Sequence, residues 1–233
     1  MRAGRLLYMI QYTSLQGGVS KEERCARLRI STAAREALNF RTSRQKLWLI
    51  LESTFNPQTA LYVTLTYRDA DLPARKDAAD RNLTYWIRRI REERALKGQD
   101  TVYVRVTEFG RKSDRLHHHV LINGTGDDYK TFHAAWPYGD QVEILPYYCK
   151  SHWMHAEYFT KEPKVPGRRR VGERMWRASR NVTRPIITYD EAPAGSTLRA
   201  PAEAYVVDSD TKTNTFGRFQ YIEAHLPLDQ TIE

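Results

Sequence analysis

Two β-like runs, TVYVRVTEFG (residues 101–110) and RLHHHVLING (residues 115–124), are joined by only four polar residues, RKSD, and nothing else in the chain restricts its fold so tightly. So short a link between two extended runs closes them as an antiparallel pair, and the rest of the domain must be built around that hairpin. Alternation then sorts the second run. His117 and His119 project from one face, while Leu116, His118, Val120 and Ile122 project from the other. The first pair is set to share a ligand, and His118 is expected in the core in a structural role.

The flanking text supplies the remaining layers. In LYVTLTY (residues 61–67), Leu61, Val63 and Leu65 occupy one strand face and Thr64 and Thr66 the other. DAADRNLTYWIRRIREERALKG sets Leu83, Trp86, Ile87 and Ile90 at helical spacing and finishes at Gly98. A helix over residues 128–136, a strand in QVEILPY and a helix in SHWMHAEYFTKE complete the order strand, helix, strand, strand, helix, strand, helix. That order predicts an α+β fold, a split βαβ arrangement on a central antiparallel sheet. Upstream, the basic stretch from about Ser20 to Phe55 is helix-forming, with Leu47, Ile50 and Leu51 on one face, and Asn56 and Pro57 end it. Beyond Pro185, AYVVDS and RFQYIEAHL are β-like. The expected division is a helical prefix over 1–57, the sheet domain over 58–185, and a β-rich extension over 186–233 packed on the same domain.

Lys and Arg number 37 against 28 Asp and Glu, a formal charge of +9, which suits a polyanionic partner such as nucleic acid. The cations are unevenly spread: Arg168, Arg169, Arg170, Arg174, Arg177, Arg180 and Arg184 crowd around Trp176, mixing phosphate-binding groups with a ring that can stack on a base. Any single one of these arginines is nearly as well read as a solvated face. Only Cys25 and Cys149 are present, too few for a disulfide framework and not spaced as a zinc ribbon. No apolar run reaches membrane-spanning length, and MRAGRLLYMIQYTS carries neither the apolar length nor the cleavage site of a secretory signal. The expectation is a soluble cytoplasmic protein with no membrane partner.

Three features point to chemistry. Glu108, at the end of the first hairpin run, can join His117 and His119 in a two-histidine, one-carboxylate set with open positions. Strict alternation puts Glu108 in phase with Val104 and Val106, so a bulge or a strand-end twist is expected to turn it toward the histidines. Tyr158 and Lys161, three residues apart, share a helical face. A phenol with a pKa near 10 is a weak nucleophile unless a nearby cation and a polarised phosphate lower the barrier. The arginine-rich segment that follows is placed to hold a bound strand. His152 and His155 are expected to be packed or solvated. Thr64 and Thr66 can approach nucleic acid or the metal site, although strands favour threonine in any case.

YVTLTY with DADLP, EFG with RLHHHV, and YFTK occur in that order and resemble the three motifs of HUH endonucleases, specifically the rolling-circle replication initiators of small single-stranded DNA phages and plasmids. GERMWRASRNVTRP resembles a segment that follows the tyrosine motif in bacterial replication-associated proteins, and the whole resemblance spans about residues 61–185. It implies a five-stranded antiparallel sheet flanked by helices. It further implies that His117, His119 and Glu108 hold Mg²⁺ or Mn²⁺, and that Tyr158 attacks the scissile phosphate of single-stranded DNA at an origin. The product would be a 5′-phosphotyrosyl link and a free 3′-hydroxyl, rejoined without ATP, with Lys161 assisting.

Leu116 stands where many phage relatives have Arg-Pro before the first histidine. Met154 and Glu162 lie one turn from Tyr158, so a single nucleophile is expected, and Tyr147 and Tyr148 lack a corresponding lysine. With no GxxxxGK[ST] loop in the sequence, the resemblance implies a host helicase as well as a polymerase. A relaxase or a single-tyrosine transposase would share the chemistry. A non-catalytic RRM-like nucleic-acid-binding module is the reading from another class.

Overall fold

The computed structural model describes residues 1–13, 32–110, 114–148, 151–161, 173–214 and 217–228. Along these the elements are β1 (Arg2–Ala3), β2 (Leu6–Tyr12), α1 (Thr32–Thr54), β3 (Ala60–Leu65), α2 (Lys76–Leu96), β4 (Tyr103–Phe109), β5 (Leu116–Asn123), α3 (Asp128–Ala135), β6 (Val142–Pro146), α4 (His152–Phe159), β7 (Arg177–Ala178), β8 (Tyr205–Asn214) and β9 (Gly217–His225). They form an α+β fold with two antiparallel sheets, ordered β6-β3-β5-β4-β7 and β1-β2-β9-β8. The chain divides into two compact units, residues 55–182 and residues 1–54 with 183–233.

In the unit of residues 55–182 the central hairpin forms as its sequence requires, with β4 and β5 paired without a shift from Tyr103↔Ile122 to Phe109↔Leu116. Asp114 turns the chain with a φ of 50°, in the left-handed region that a short polar side chain tolerates. One sheet face carries the main core. Val63, Leu65, Leu116, Val120 and Ile122 pack beneath Leu83, Trp86, Ile87 and Ile90 of α2 and Phe132 of α3. The indole of Trp86 spends its single donor on the Phe132 carbonyl at 3.0 Å, so a fully buried ring leaves no polar atom unpaired.

Helix α2 stops where Gly98, at φ 66°, supplies the left-handed residue that terminates a helix. Just before that end, Arg94 bonds the Asp128 carboxylate at 2.6 Å and both the side chain and the carbonyl of Asn123 at 2.8 Å. This buried ion pair ties the ends of α2 and β5 to the start of α3. The opposite sheet face is covered by α4, whose Ala156 and Phe159 are buried. Phe159 lies against Tyr62, with ring centroids 6.1 Å apart. Both faces of this sheet are therefore packed, which is why β4 and β5 are buried along most of their length rather than alternately.

In the other unit, β2 pairs with β9 from Leu6↔His225 to Tyr12↔Phe219, and β9 pairs in turn with β8 through an irregularity at Val206/Asp208. Helix α1 buries Leu47, Trp48 and Leu51, with Ile50 half-buried, and Trp48 meets the Tyr8 ring edge-on at 5.2 Å. The helix expected from Ser20 is present from Thr32 onward, and its earlier part lies outside the described residues. Strand β2 is not among the elements expected from the sequence, because its hydrophobic run pairs with a segment some two hundred residues away. Among the described residues no helix is long and apolar enough to cross a membrane.

Candidate active site

Glu108 and His117 are directly opposed across the β4–β5 ladder, and His119 is opposed to Val106. Val104, Val106 and Glu108 thus share a face with His117 and His119. The expected bulge is absent. Val104 and Val106 do not mark the main core face, as their hydrophobicity suggests in the sequence; they pack on the α4 side, so plain alternation already delivers the carboxylate.

Three donor atoms converge. His117 Nε2 and His119 Nε2 are 3.1 Å apart, and Glu108 Oε1 is 3.2 Å from the first and 3.3 Å from the second. Adjacent ligands on a six-coordinate ion with bonds of about 2.1 Å lie about 3 Å apart, so this near-equilateral triangle has the size of one face of such a site. The rest of each ring agrees with that role. His117 Nδ1 is 3.2 Å from the Arg115 carbonyl and His119 Nδ1 is 3.4 Å from Thr64 Oγ1, so each ring can keep its proton on Nδ1 and aim a bare Nε2 inward. These three residues form a cluster able to hold a metal ion.

Helix α4 brings the phenol to the same point. It starts at the Ser151 cap, whose hydroxyl accepts from the Trp153 amide at 3.2 Å. Tyr158 Oη then lies 3.2 Å from His119 Nε2 and 3.3 Å from Glu108 Oε1, with 38% of the residue exposed. Lys161 Nζ sits 2.7 Å from Glu108 Oε1 and 3.5 Å from the Tyr158 ring centroid, over its face. The helix ends at Phe159, earlier than the sequence suggests. Thr160 folds its hydroxyl back onto the Ala156 carbonyl at 2.7 Å, and Pro163 disfavours helix at the residue before it. Lys161 still reaches the ring from beyond the helix.

Burial favours the neutral form of Glu108, but hydrogen bonds from His117, His119 and Lys161 outweigh it and hold the carboxyl far below the usual range. The His119 imidazole is pushed down by burial, against the raising effect of Glu108, and stays neutral at pH 7. Both are therefore in the protonation state a cation requires.

Neighbouring polar residues fix the frame. His118, fully buried, lies 2.7 Å from Tyr67 Oη and 2.9 Å from Thr107 Oγ1, and Thr107 lies 2.5 Å from Asp80 Oδ1. Tyr147 and Tyr148 part company: Tyr147 is fully buried with its hydroxyl 2.8 Å from His152 Nδ1, whereas Tyr148 is exposed. Tyr62 stacks near His119 at 5.3 Å, and burial raises its phenol well above the usual range. Sequence reading missed the Tyr67, Thr107 and Asp80 network and the Tyr147–His152 pair, since each joins residues from separate elements.

The residues expected to meet nucleic acid are dispersed. Thr64 belongs to the site itself. Thr66 is exposed just past β3, where its carbonyl accepts from Trp136 Nε1 at 2.8 Å, and a side chain at Gly139 would collide with that carbonyl. Arg174, Arg177 and Arg180 are exposed and Trp176 is half-buried. Arg168, Arg169 and Arg170 lie outside the described residues.

No curated protein and no solved structure matches the chain. Residues 60–163, a little under half of the chain but including Glu108, His117, His119, Tyr158 and Lys161, match the family model of the replication-associated protein ORF2, consistent with a rolling-circle replication initiator.

Proposed function

We propose that the chain is a metal-dependent endonuclease that nicks single-stranded DNA at a replication origin, with Tyr158 as nucleophile, and rejoins the strand. The observation that carries this is the meeting of one phenol, one ammonium and a His-His-Glu triangle around a single oxygen, Glu108 Oε1. A divalent ion held by His117, His119 and Glu108, Mg²⁺ or Mn²⁺, supplies Lewis-acid polarisation of the scissile phosphate.

The chain's own groups do the rest. The Tyr158 oxygen forms a bond to phosphorus, the bond from phosphorus to the 3′-oxygen breaks, and the phenolic proton is replaced on that 3′-oxygen through solvent. The products are a 5′-phosphotyrosyl link and a 3′-hydroxyl, and reversal needs no ATP because the new ester keeps the energy of the old one. Lys161, above the Tyr158 ring, stabilises the developing phenolate and holds the ring's angle. Thr64 and the Arg115 carbonyl keep the imidazoles in the ligand orientation. A host polymerase would extend the freed 3′-hydroxyl behind a host helicase, in the cytoplasm.

The test is a gel assay of the purified chain with labelled single-stranded oligonucleotides that include the element's own origin, in Mn²⁺ or EDTA. A denaturation-resistant protein–DNA adduct that needs metal and is lost in Tyr158→Phe supports the reading. Tight binding with no adduct on the origin DNA would replace it with a non-catalytic DNA-binding module.

A further inference from the structure

Strand β7 turns part of the arginine-rich segment away from Tyr158. Directly opposed residues of an antiparallel pair share a sheet face, and Arg177 is opposed to Arg105 of β4. Arg105 lies between Val104 and Val106, so it points away from Glu108. Its Nη1 donates to Thr84 Oγ1 of α2 at 3.0 Å, which fixes its side as the α2 side. The alignment is held beyond the strand by Ser179, whose amide donates to the Tyr103 carbonyl at 2.9 Å while its hydroxyl accepts from the Tyr103 amide at 3.1 Å.

The charge at this edge is uncompensated. Neither Arg105 nor Arg177 forms an ion pair with a carboxylate of the described residues. Asp80, whose carbonyl lies 3.5 Å from Arg105, directs its carboxylate to Thr107 instead. Arg105 is only 7% exposed, and burial, with the Arg177 charge adding to it, lowers its pKa. Two neighbouring guanidinium groups, one buried and both without a carboxylate, form a site that an anion completes, and the planar fork of arginine suits phosphate oxygens. Arg174 and Arg180, before and after this edge in the chain, are exposed and also without an ion pair among the described residues.

We propose that Arg105 and Arg177 bind a DNA phosphate on the α2 side of the β7 edge, so that this segment holds a stretch of DNA other than the phosphodiester presented to Tyr158. The inference rests on DNA as the partner but not on the nicking reaction. Binding of a 40-nucleotide single strand to the full chain, followed by fluorescence anisotropy in EDTA across a salt series, tests it.

Arg177→Gln is expected to weaken binding several-fold and to flatten the plot of log K against log salt by about 0.7, the value for one phosphate contact on a single strand, with Arg177→Lys restoring most of the slope. In the adduct assay the loss should fall on KM and not on kcat. Unchanged affinity and slope in Arg177→Gln would overturn the proposal, as would a fall in kcat at constant KM, which would put the group on the Tyr158 side. If wild type forms no adduct yet Arg177→Gln flattens the slope, the nicking reading fails and this one stands.

Discussion

Three consecutive histidines of β5 are divided between two faces of one sheet, and the faces treat them in opposite ways. On the α2 side, His118 sits in a closed chain of donors. Tyr67 gives its proton to Nε2, Nδ1–H gives to Thr107, and Thr107 gives to the Asp80 carboxylate, an assignment in which each proton is used once. Burial, with the positive neighbours adding to it, holds this imidazole well below the ordinary histidine range, so it stays neutral. On the α4 side, His117 and His119 face one another through Nε2 at 3.1 Å. At most one proton fits between two facing nitrogens, so at least one lone pair remains unsatisfied by the other ring. A satisfied histidine stabilises a fold, whereas a convergent and unsatisfied pair invites a cation. Residue type alone does not separate the two roles; strand parity does.

The contrast can be broken most sharply with metal. His117→Ala should lose more than the roughly 10–100-fold in Mn²⁺ affinity that removal of an outer partner costs, while His118→Leu should stay within about tenfold of wild type by calorimetry. Equal losses would mean that the faces do not divide the labour. Stability should rank the other way. His118→Leu leaves the Tyr67 and Thr107 hydroxyls without their shared partner in the core, and urea unfolding should register about 1–3 kcal/mol, with His117→Ala costing less.

Acid should act on the neutral buried histidines. His118 and His152, the latter pushed down to about 4 by burial, bind protons in the unfolded chain before they do in the folded one. Stability is then full above pH 6.5 and declines as pH falls from 6.5 toward 4. Unfolding midpoints measured at about pH 7.5, 5.5 and 4.5 should show that decline, and His152→Gln should flatten it. The smallest effect belongs to Thr64→Val, which removes the oxygen facing His119 Nδ1. Mn²⁺ affinity should fall roughly tenfold, with stability shifted by no more than about 0.5 kcal/mol.

Much of the five-stranded unit is legible in the sequence because its signals are local. The 101–124 hairpin, the Leu83–Trp86–Ile87–Ile90 stripe and the Ser151-capped helix each carry their pattern within a few residues. Parity places His118 in the core correctly. At Glu108 it misleads, because Val104 and Val106 look like part of the main core face, whereas α4 gives the sheet a second buried face. What could not be read joins distant segments: the Asp80–Thr107–His118–Tyr67 chain, the Tyr147–His152 bond, the pairing of Arg177 with Arg105, and above all strand β2, whose partner lies near the far end of the sequence.

That last pairing sets an order of events during synthesis. Residues 55–182 have all their sheet partners within their own span, whereas Leu6 must wait for His225. At about 5–20 residues per second, the roughly 200 intervening residues keep β2 unpaired for some 10–40 seconds after it leaves the ribosome. The five-stranded unit has the time to fold first, and the N-terminal strand, with its apolar Leu-Leu-Tyr-Met-Ile run, spends that interval as an open edge that chaperones or neighbouring chains can reach.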